Sequence, residues 1–227
     1  GCGDANDRET PTALPALADV PISAVACGKG HVLALGASGD VYAWGNNGSG
    51  QLGTGNTAKA ATPLKVDALS QIGVTALACG SHHSLALTEA GEVYSCGFGG
   101  SFWSGCGGLG HGDTAQLETP RKLEHFGGEV RAKTVSAGGY HSLVLDTEGR
   151  VWTWGRGEWG RLGLGDSSDA LVPTQIDFDD DGFQPVAALT GETHSAVVGA
   201  NGELLTWGRN EHWQLGYEVG GLLNSGQ

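Results

Sequence analysis

Short apolar stretches alternate along the chain with polar turns that carry a glycine. In "SLVLDTEGRVWTW", residues 142–154, the apolar runs "LVL" and "VWTW" flank the polar "DTEGR". Two such short runs predict a β-hairpin, because glycine adopts the positive φ of a tight turn without steric penalty. "ISAVACG", "VTALACG" and "KTVSAG" lie ahead of equivalent hairpins and add a further short strand of small and β-branched residues. Behind them, "TPLKVDAL", "ETPRKLEHF" and "VPTQIDF" add a proline-led fourth stretch. Each unit therefore predicts about four short strands, and none has the 3.6-residue apolar period of a helix.

The hairpins recur at fixed addresses. "GKGHVLALGASGDVYAWG" begins at Gly28, "GSHHSLALTEAGEVYSCG" at Gly80, "GGYHSLVLDTEGRVWTWG" at Gly138 and "GETHSAVVGANGELLTWG" at Gly191. Their histidines, His31, His83, His141 and His194, are 52, 58 and 53 residues apart. Each is followed by a turn glycine (Gly39, Gly91, Gly149, Gly202), then by a Trp-Gly or Cys-Gly pair (Trp44, Cys96, Trp154, Trp207). A Leu-Gly at Leu52, Leu109, Leu162 or Leu215 follows, and a proline at Pro63, Pro120 or Pro173 closes the first three units. A four-stranded unit of this period suits a β-propeller blade.

Among 227 residues there are 41 glycines, no methionine and a net charge of −13. The glycines have repeat addresses, so they mark turns rather than a disordered tract. No apolar run reaches the roughly 18–20 residues of a membrane-spanning helix, and no signal peptide is visible. The opening "GCGDANDRETP" matches the end of "LGLGDSSDALVP", with Asp4 at the place of Asp166 and Pro11 at that of Pro173. The expectation is an internal segment of a longer protein. An acidic balance of this size disfavours direct contact with nucleic-acid phosphates and suits basic protein partners.

Histidine, turn glycine, Trp-Gly, Gln/Arg-Leu-Gly and proline in this order resemble the repeats of the regulator of chromosome condensation family, as in "HSLALTEAGEVYSCG", "WGNNGSGQLGTGN" and "WGRGEWGRLGLGD". The resemblance implies an all-β, seven-bladed propeller with four-stranded blades, of which this segment holds an incomplete set. Blades are expected over 21–72, 73–130, 131–184 and 185–227, after a partial blade at 1–20. The resemblance implies a non-catalytic scaffold for protein–protein interaction, within an assembly or a multidomain protein. The founding member's activity supplies the alternative: a guanine-nucleotide exchange factor for a Ran-like small GTPase, working through inter-blade loops and a protruding β-wedge. A light-sensing branch of the family carries Gly-Trp-Arg-His at the histidine address. Here the two residues before each histidine are Lys29-Gly30, Ser81-His82, Gly139-Tyr140 and Glu192-Thr193, so light sensing is not expected.

Four histidines at one repeat address are read as structural, each half-buried and hydrogen-bonded to nearby backbone, with no catalytic residue and no cofactor. Trp44, Trp154 and Trp207 are read as inter-blade packing. Five cysteines at repeat-determined or loop positions point to free thiols in a reducing, intracellular compartment, whether nucleus, cytosol or organelle. Cys79, His82 and His83 lack the second ligand pair that a zinc site needs. Partner contacts are assigned to Phe102 and Trp103, in the long loop "GFGGSFWSGCGGLG", and to Trp159 and Trp213, because exposed aromatics are typical anchors. The long loop is the one candidate for a wedge, although its composition matches no wedge closely. Asp177, Asp179 and Asp181 resemble half a calcium loop, but Ala188 stands where the bidentate acid belongs, so a solvated acidic turn is the default and calcium a weak candidate.

Overall fold

A computed structural model describes residues 2–4, 6–101, 105–178 and 182–217. Strands β1 (Ile22–Cys27), β2 (His31–Gly36), β3 (Val41–Gly45) and β4 (Ala60–Lys65) form the first antiparallel sheet, in that order. The second contains β5 (Val74–Cys79), β6 (His83–Thr88) and β7 (Val93–Gly97). A small hairpin of β8 (Gly100–Ser101) and β9 (Gly105–Cys106) then intervenes before β10 (Leu117–Lys122) completes that sheet against β7. β11 (Ala132–Ala137), β12 (His141–Asp146), β13 (Val151–Gly155) and β14 (Ala170–Gln175) make the third. β15 (Pro185–Thr190), β16 (His194–Gly199) and β17 (Leu204–Gly208) make the last, three-stranded among the described residues. Helical structure there is confined to single 3-10 turns at Pro15–Leu17, Asp67–Leu69 and Glu158–Gly160, and no helix is long and apolar enough to cross a membrane.

The turn glycines do what the pattern requires. Gly39, Gly91, Gly149 and Gly202 hold φ of 87°, 78°, 83° and 84°, a region that costs a residue with a Cβ roughly 1–2 kcal/mol. They return each hairpin so that the histidine faces the glycine of the Trp-Gly or Cys-Gly pair: His31 opposite Gly45, His83 opposite Gly97, His141 opposite Gly155, His194 opposite Gly208. Every sheet thus has a histidine rim at one end and a glycine-turn rim at the other.

The first strands, β1, β5, β11 and β15, lie side by side around a common axis. Small residues let them approach: the Cys79 thiol donates to Ala26 O at 3.4 Å, and the Ser136 and Thr190 hydroxyls meet at 2.8 Å. The apolar core is divided among the sheet interfaces. One cluster joins Leu33, Val41 and Leu52 to Val74 and Ala86; a second joins Leu85 and Val93 to Val144 and Trp154; a third joins Leu143 and Val151 to Ala188 and Val197. Because β6 and β12 are covered on both faces, they are buried along their whole length rather than alternately.

The two outer sheets leave the same addresses open. Leu77, Val135 and Ala188 pack on a preceding sheet, while the equivalent Val25 is 64% exposed. Val41, Val93 and Val151 are fully buried against a following sheet, while the equivalent Leu204 is 60% exposed. These four sheets do not close a ring; the fold is an incomplete propeller. Gly3 N donates to Ala61 O, as Gly55 N does to Glu118 O and Gly112 N to Leu171 O, so the opening residues lie on β4 as the Leu-Gly loops lie on their next sheets.

Candidate protein-interaction face

The repeat chemistry is consumed by a clasp between neighbouring sheets. His31 Nε2 lies 2.9 Å from Ser84 Oγ, His83 Nε2 3.0 Å from Ser142 Oγ, and His141 Nε2 3.0 Å from Ser195 Oγ. Each serine comes from the following sheet. Each hydroxyl also donates back to the residue before the Leu-Gly pair of the histidine's own sheet: Ser84 to Gln51 O at 2.7 Å, Ser142 to Gly108 O at 2.9 Å, Ser195 to Arg161 O at 2.9 Å. A hydroxyl has one hydrogen. Since the carbonyl takes it, Nε2 of the imidazole must be the donor, which fixes the neutral Nε2–H tautomer.

The same carbonyls accept a second bond from the Trp address. Trp154 Nε1 donates to Gly108 O at 2.8 Å and Trp207 Nε1 to Arg161 O at 2.9 Å. Cys96, standing in for tryptophan, points its thiol at Gln51 O at 3.7 Å. These tryptophans pack between blades; Trp154 is fully buried and Trp44 joins the first cluster.

Two expectations for the histidines need correction. His31, His83 and His141 are buried, at 2%, 1% and 0% exposure, because the second strand is sandwiched between sheets. Their Nε2 partners are serine hydroxyls across the interface rather than nearby backbone. His194 is half-buried, with no following sheet among the described residues. Burial, reinforced by neighbouring histidines, lowers the pKa of His31 to about 4 and that of His83 to about 3; for His141 burial and then the Arg161 charge lower it to about 3. Asp146 sits at the far rim from His141, where its carboxylate accepts from Arg150 Nε at 2.7 Å and Trp152 Nε1 at 3.0 Å. Burial raises its pKa, but these bonds outweigh that and hold it below the ordinary value. His141, Ser142 and Asp146 thus serve three separate contacts and form no triad.

With the addresses occupied in this way, the variable residues of the histidine rim stand out. The residue after each Trp-Gly or Cys-Gly pair donates its N–H to the residue before the histidine, pairing Asn46 with Gly30, Phe98 with His82, Arg156 with Tyr140 and Arg209 with Thr193. Their side chains therefore share one rim. His82 stacks on Tyr140 at 5.6 Å, and Phe98 meets Tyr140 edge-on at 5.9 Å. The base of the β8–β9 hairpin is tied to the next sheet, since Cys106 N donates to Asp169 Oδ2 at 2.7 Å and Gly157 N to Asp169 Oδ1 at 2.8 Å. Phe102 and Trp103 lie outside the described residues.

Trp159 lies on this rim with Arg161 and Arg209 at 4.8 and 4.2 Å from its ring centroid, within cation–π range. Glu158 Oε2 is 2.6 Å from Arg156 Nη2 and 3.6 Å from Arg161 Nη2; Glu211 pairs with Arg209. Burial above all, and then the Arg156 charge, lower the pKa of Arg161 to about 10. Trp213 is 64% exposed and holds φ of 63° where Gly50 and Gly160 hold 75° and 70°. Nearer the axis, a recess of about 440 Å³ is lined by Gly28, Lys29, Ser81, Gly139 and Glu192.

The sequence nominates Trp159 and Trp213 as partner contacts, and the structure places both on this rim; the sequence did not bring out the guanidinium cluster or the His82, Phe98 and Tyr140 trio. The signal was available: Arg161 replaces the glutamine of the Gln-Leu-Gly address, the residue before histidine differs in every repeat, and the residue after the Trp-Gly or Cys-Gly pair is Asn46, Phe98, Arg156 or Arg209. Asp177 is exposed and follows β14 on the opposite, glycine-turn rim; Asp179 and Asp181 lie outside the described residues. All five cysteines are free thiols, with Cys96 and Cys106 buried. Burial pushes the Cys79 thiol up to about 12.

The RCC1-like domain model matches residues 1–226. The chain is 40% identical to the ultraviolet-B receptor UVR8 of Arabidopsis thaliana over 96% of its own length and 48% of that protein's. It is 34% identical to the human E3 ubiquitin-protein ligase HERC2 over 96% of its length, which is 4% of that protein. Yeast RCC1 (Prp20), in its crystal structure with Kap60, superimposes with a TM-score of 0.77 at 27% identity, over 93% of this chain and 49% of that one. The chain thus spans about half the length of UVR8 and Prp20 and a small part of HERC2. By repeat chemistry, fold and similarity, the chain belongs to the RCC1-like domain family.

Proposed function

We propose that the chain is a non-catalytic propeller module whose histidine rim binds protein partners. One observation carries this reading: the repeat histidines, serines and tryptophans at the three described interfaces are committed to inter-blade contacts, whereas the histidine rim gathers half-buried aromatic and guanidinium side chains, Phe98, Tyr140, Trp159 and Arg209, that the repeat does not require. The Prp20 structure, in which Kap60 is bound to a protein of this family, supports it, as does the 34% identity to a stretch of HERC2. The test compares cross-linking patterns in cells for wild type, a Phe98→Ala/Trp159→Ala/Arg209→Gln variant, and an Asn201→Ala/Glu203→Ala variant on the opposite rim. Loss of the cross-linked partners in the first variant alone supports the reading; equal patterns in all three overturn it.

The β8–β9 hairpin favours a second reading, nucleotide exchange on a Ran-like GTPase. It is an extra two-stranded hairpin between the third and fourth strands of its blade, and the family's β-wedge is likewise an addition to a blade. Release of a fluorescent GDP analogue from a panel of small GTPases distinguishes the two. Acceleration that a Phe102→Ala/Trp103→Ala change abolishes establishes exchange, whereas unaltered release across the panel leaves the scaffold.

A further inference from the structure

Arg161 stands at an address that does not need it. In the first and last repeats that position is Gln51 and Gln214, whose Oε1 accepts the N–H of Ser49 or His212 in its own loop at 2.9 and 2.8 Å. The structural duty of the address belongs to the backbone carbonyl, which accepts from the next sheet's serine whatever the side chain is. Yet Arg161 is 1% exposed, and its Nη1 has no hydrogen-bond partner among the described residues. Its Nε donates to Glu158 O at 2.9 Å, and Glu158 Oε2, the carboxylate oxygen nearest Nη2, is held more closely by Arg156. Gln51 Nε2 is unpaired as well, but a neutral amide left unpaired costs less than a guanidinium.

Around this group the rim gathers two further guanidinium groups, Arg156 and Arg209. Arg156, Arg161 and Arg209 are three of the 12 basic residues in a chain of net charge −13; Glu158 and Glu211 pair with them, and the Asp169 carboxylate, held by the Cys106 and Gly157 N–H groups, acts on Arg161 from the side. Arg209 and Arg161 both contact the Trp159 ring, which is held at a φ of 62° that a bulky residue rarely adopts. Guanidinium forks beside an aromatic ring recognise planar carboxylates in bidentate fashion. The acidic remainder of the chain repels a long polyanion and leaves room for a short acidic segment.

We propose that Arg156, Trp159, Arg161 and Arg209 form a receptor for side-chain carboxylates in an acidic segment of a protein partner; this rests on the reading of the histidine rim as an interaction face. The test titrates the protein into a fluorescein-labelled peptide of alternating Glu and Asp, its Gln/Asn counterpart, and a phosphoserine peptide, read by fluorescence anisotropy at low salt. The acidic peptide should bind about tenfold more tightly than the amide peptide, with salt sensitivity, and Arg161→Gln or Arg209→Gln should each weaken it about tenfold. Arg161→Gln installs the residue the repeat uses elsewhere, so its urea midpoint should equal or exceed that of wild type. Equal affinity for the acidic and amide peptides, or undiminished binding by both variants, overturns the proposal. Tighter binding of the phosphoserine peptide overturns the carboxylate assignment, and self-association lost in Arg209→Gln overturns the separate partner. Any of these can occur while the cross-linking comparison still supports a scaffold, so the two readings fail independently.

Discussion

Removing the Ser142 hydroxyl tests the inter-blade clasp at its centre. Ser142 is fully buried, accepts from His83 Nε2 at 3.0 Å and donates to Gly108 O at 2.9 Å. Ser142→Ala deletes two hydrogen bonds, each of about 1 kcal/mol net, and strands the N–H of His83 with no acceptor at about 1–2 kcal/mol more. Gly108 O keeps its bond from Trp154 Nε1, so no further desolvation is added there. The expected loss is about 3 kcal/mol, a large part of a typical domain's stability. Urea unfolding should show a lower midpoint with an unchanged slope. Ser23→Ala is the control, because that exposed serine bonds only Leu35 O, at 3.1 Å, and should lose under about 0.5 kcal/mol. The donor assignment is separately visible: long-range proton–nitrogen spectra at neutral pH should show His83 protonated on Nε2. A Ser142→Ala midpoint indistinguishable from wild type, or a proton on Nδ1, would refute the clasp.

The same imidazoles make stability fall in acid. Their folded pKa values, about 4 for His31 and about 3 for His83 and His141, lie below an unfolded value near 6.5. Their contribution is therefore complete above that value and is lost as the pH drops towards 4; at pH 5 each forfeits about 2 kcal/mol, about 6 together. A urea midpoint that stays level from pH 7.5 to pH 5 would contradict this. Gly80→Ala should prevent folding or destabilise by more than about 4 kcal/mol, since its Cβ would lie 2.3 Å from His83 Cε1 and 2.4 Å from Gly138 O. Gly39→Ala meets nothing within 4 Å and should lose only the roughly 1–2 kcal/mol of its positive φ; circular dichroism melts separate the two. Trp213→Gly should leave the melting temperature unchanged or raise it while reducing partner cross-linking, and a clear drop would show that the indole stabilises the fold.

The architecture was legible because propeller geometry writes itself as a period. A turn needing positive φ repeats as Gly39, Gly91, Gly149 and Gly202, and a carbonyl needing a donor repeats as tryptophan or, once, as Cys96. The degree of burial was not legible, since alternation within one strand does not reveal that neighbouring sheets cover both its faces. The clasp escaped notice for a related reason: His83 and Ser142 are adjacent only after two blades are stacked, while His141 and Ser142, adjacent in the chain, point to different partners. The rim site was half legible. Aromatic side chains in loops drew attention to Trp159 and Trp213, whereas Arg161 passed as a variant of Gln-Leu-Gly until its burial and unpartnered Nη1 were visible.

That variant shows how the repeat leaves room for function. The residue before each of the first three Leu-Gly pairs contributes a backbone carbonyl to the serine and the tryptophan or cysteine of the next sheet, and a carbonyl is the same in glutamine, glycine and arginine. Gln51, Gly108 and Arg161 thus hold neighbouring sheets in the same way while presenting an amide, no side chain and a guanidinium. Sterics still constrain the address locally, because a Cβ on Gly108 would lie 2.4 Å from His83 Nε2. Where space allows, however, the side chain can change charge without loosening the blade. A substitution series at 161 should therefore separate two quantities that core positions couple: stability should vary with the desolvation of the side chain, and partner affinity with its charge. If affinity and stability instead fell together through the series, the carbonyl would not be the part that holds the sheets.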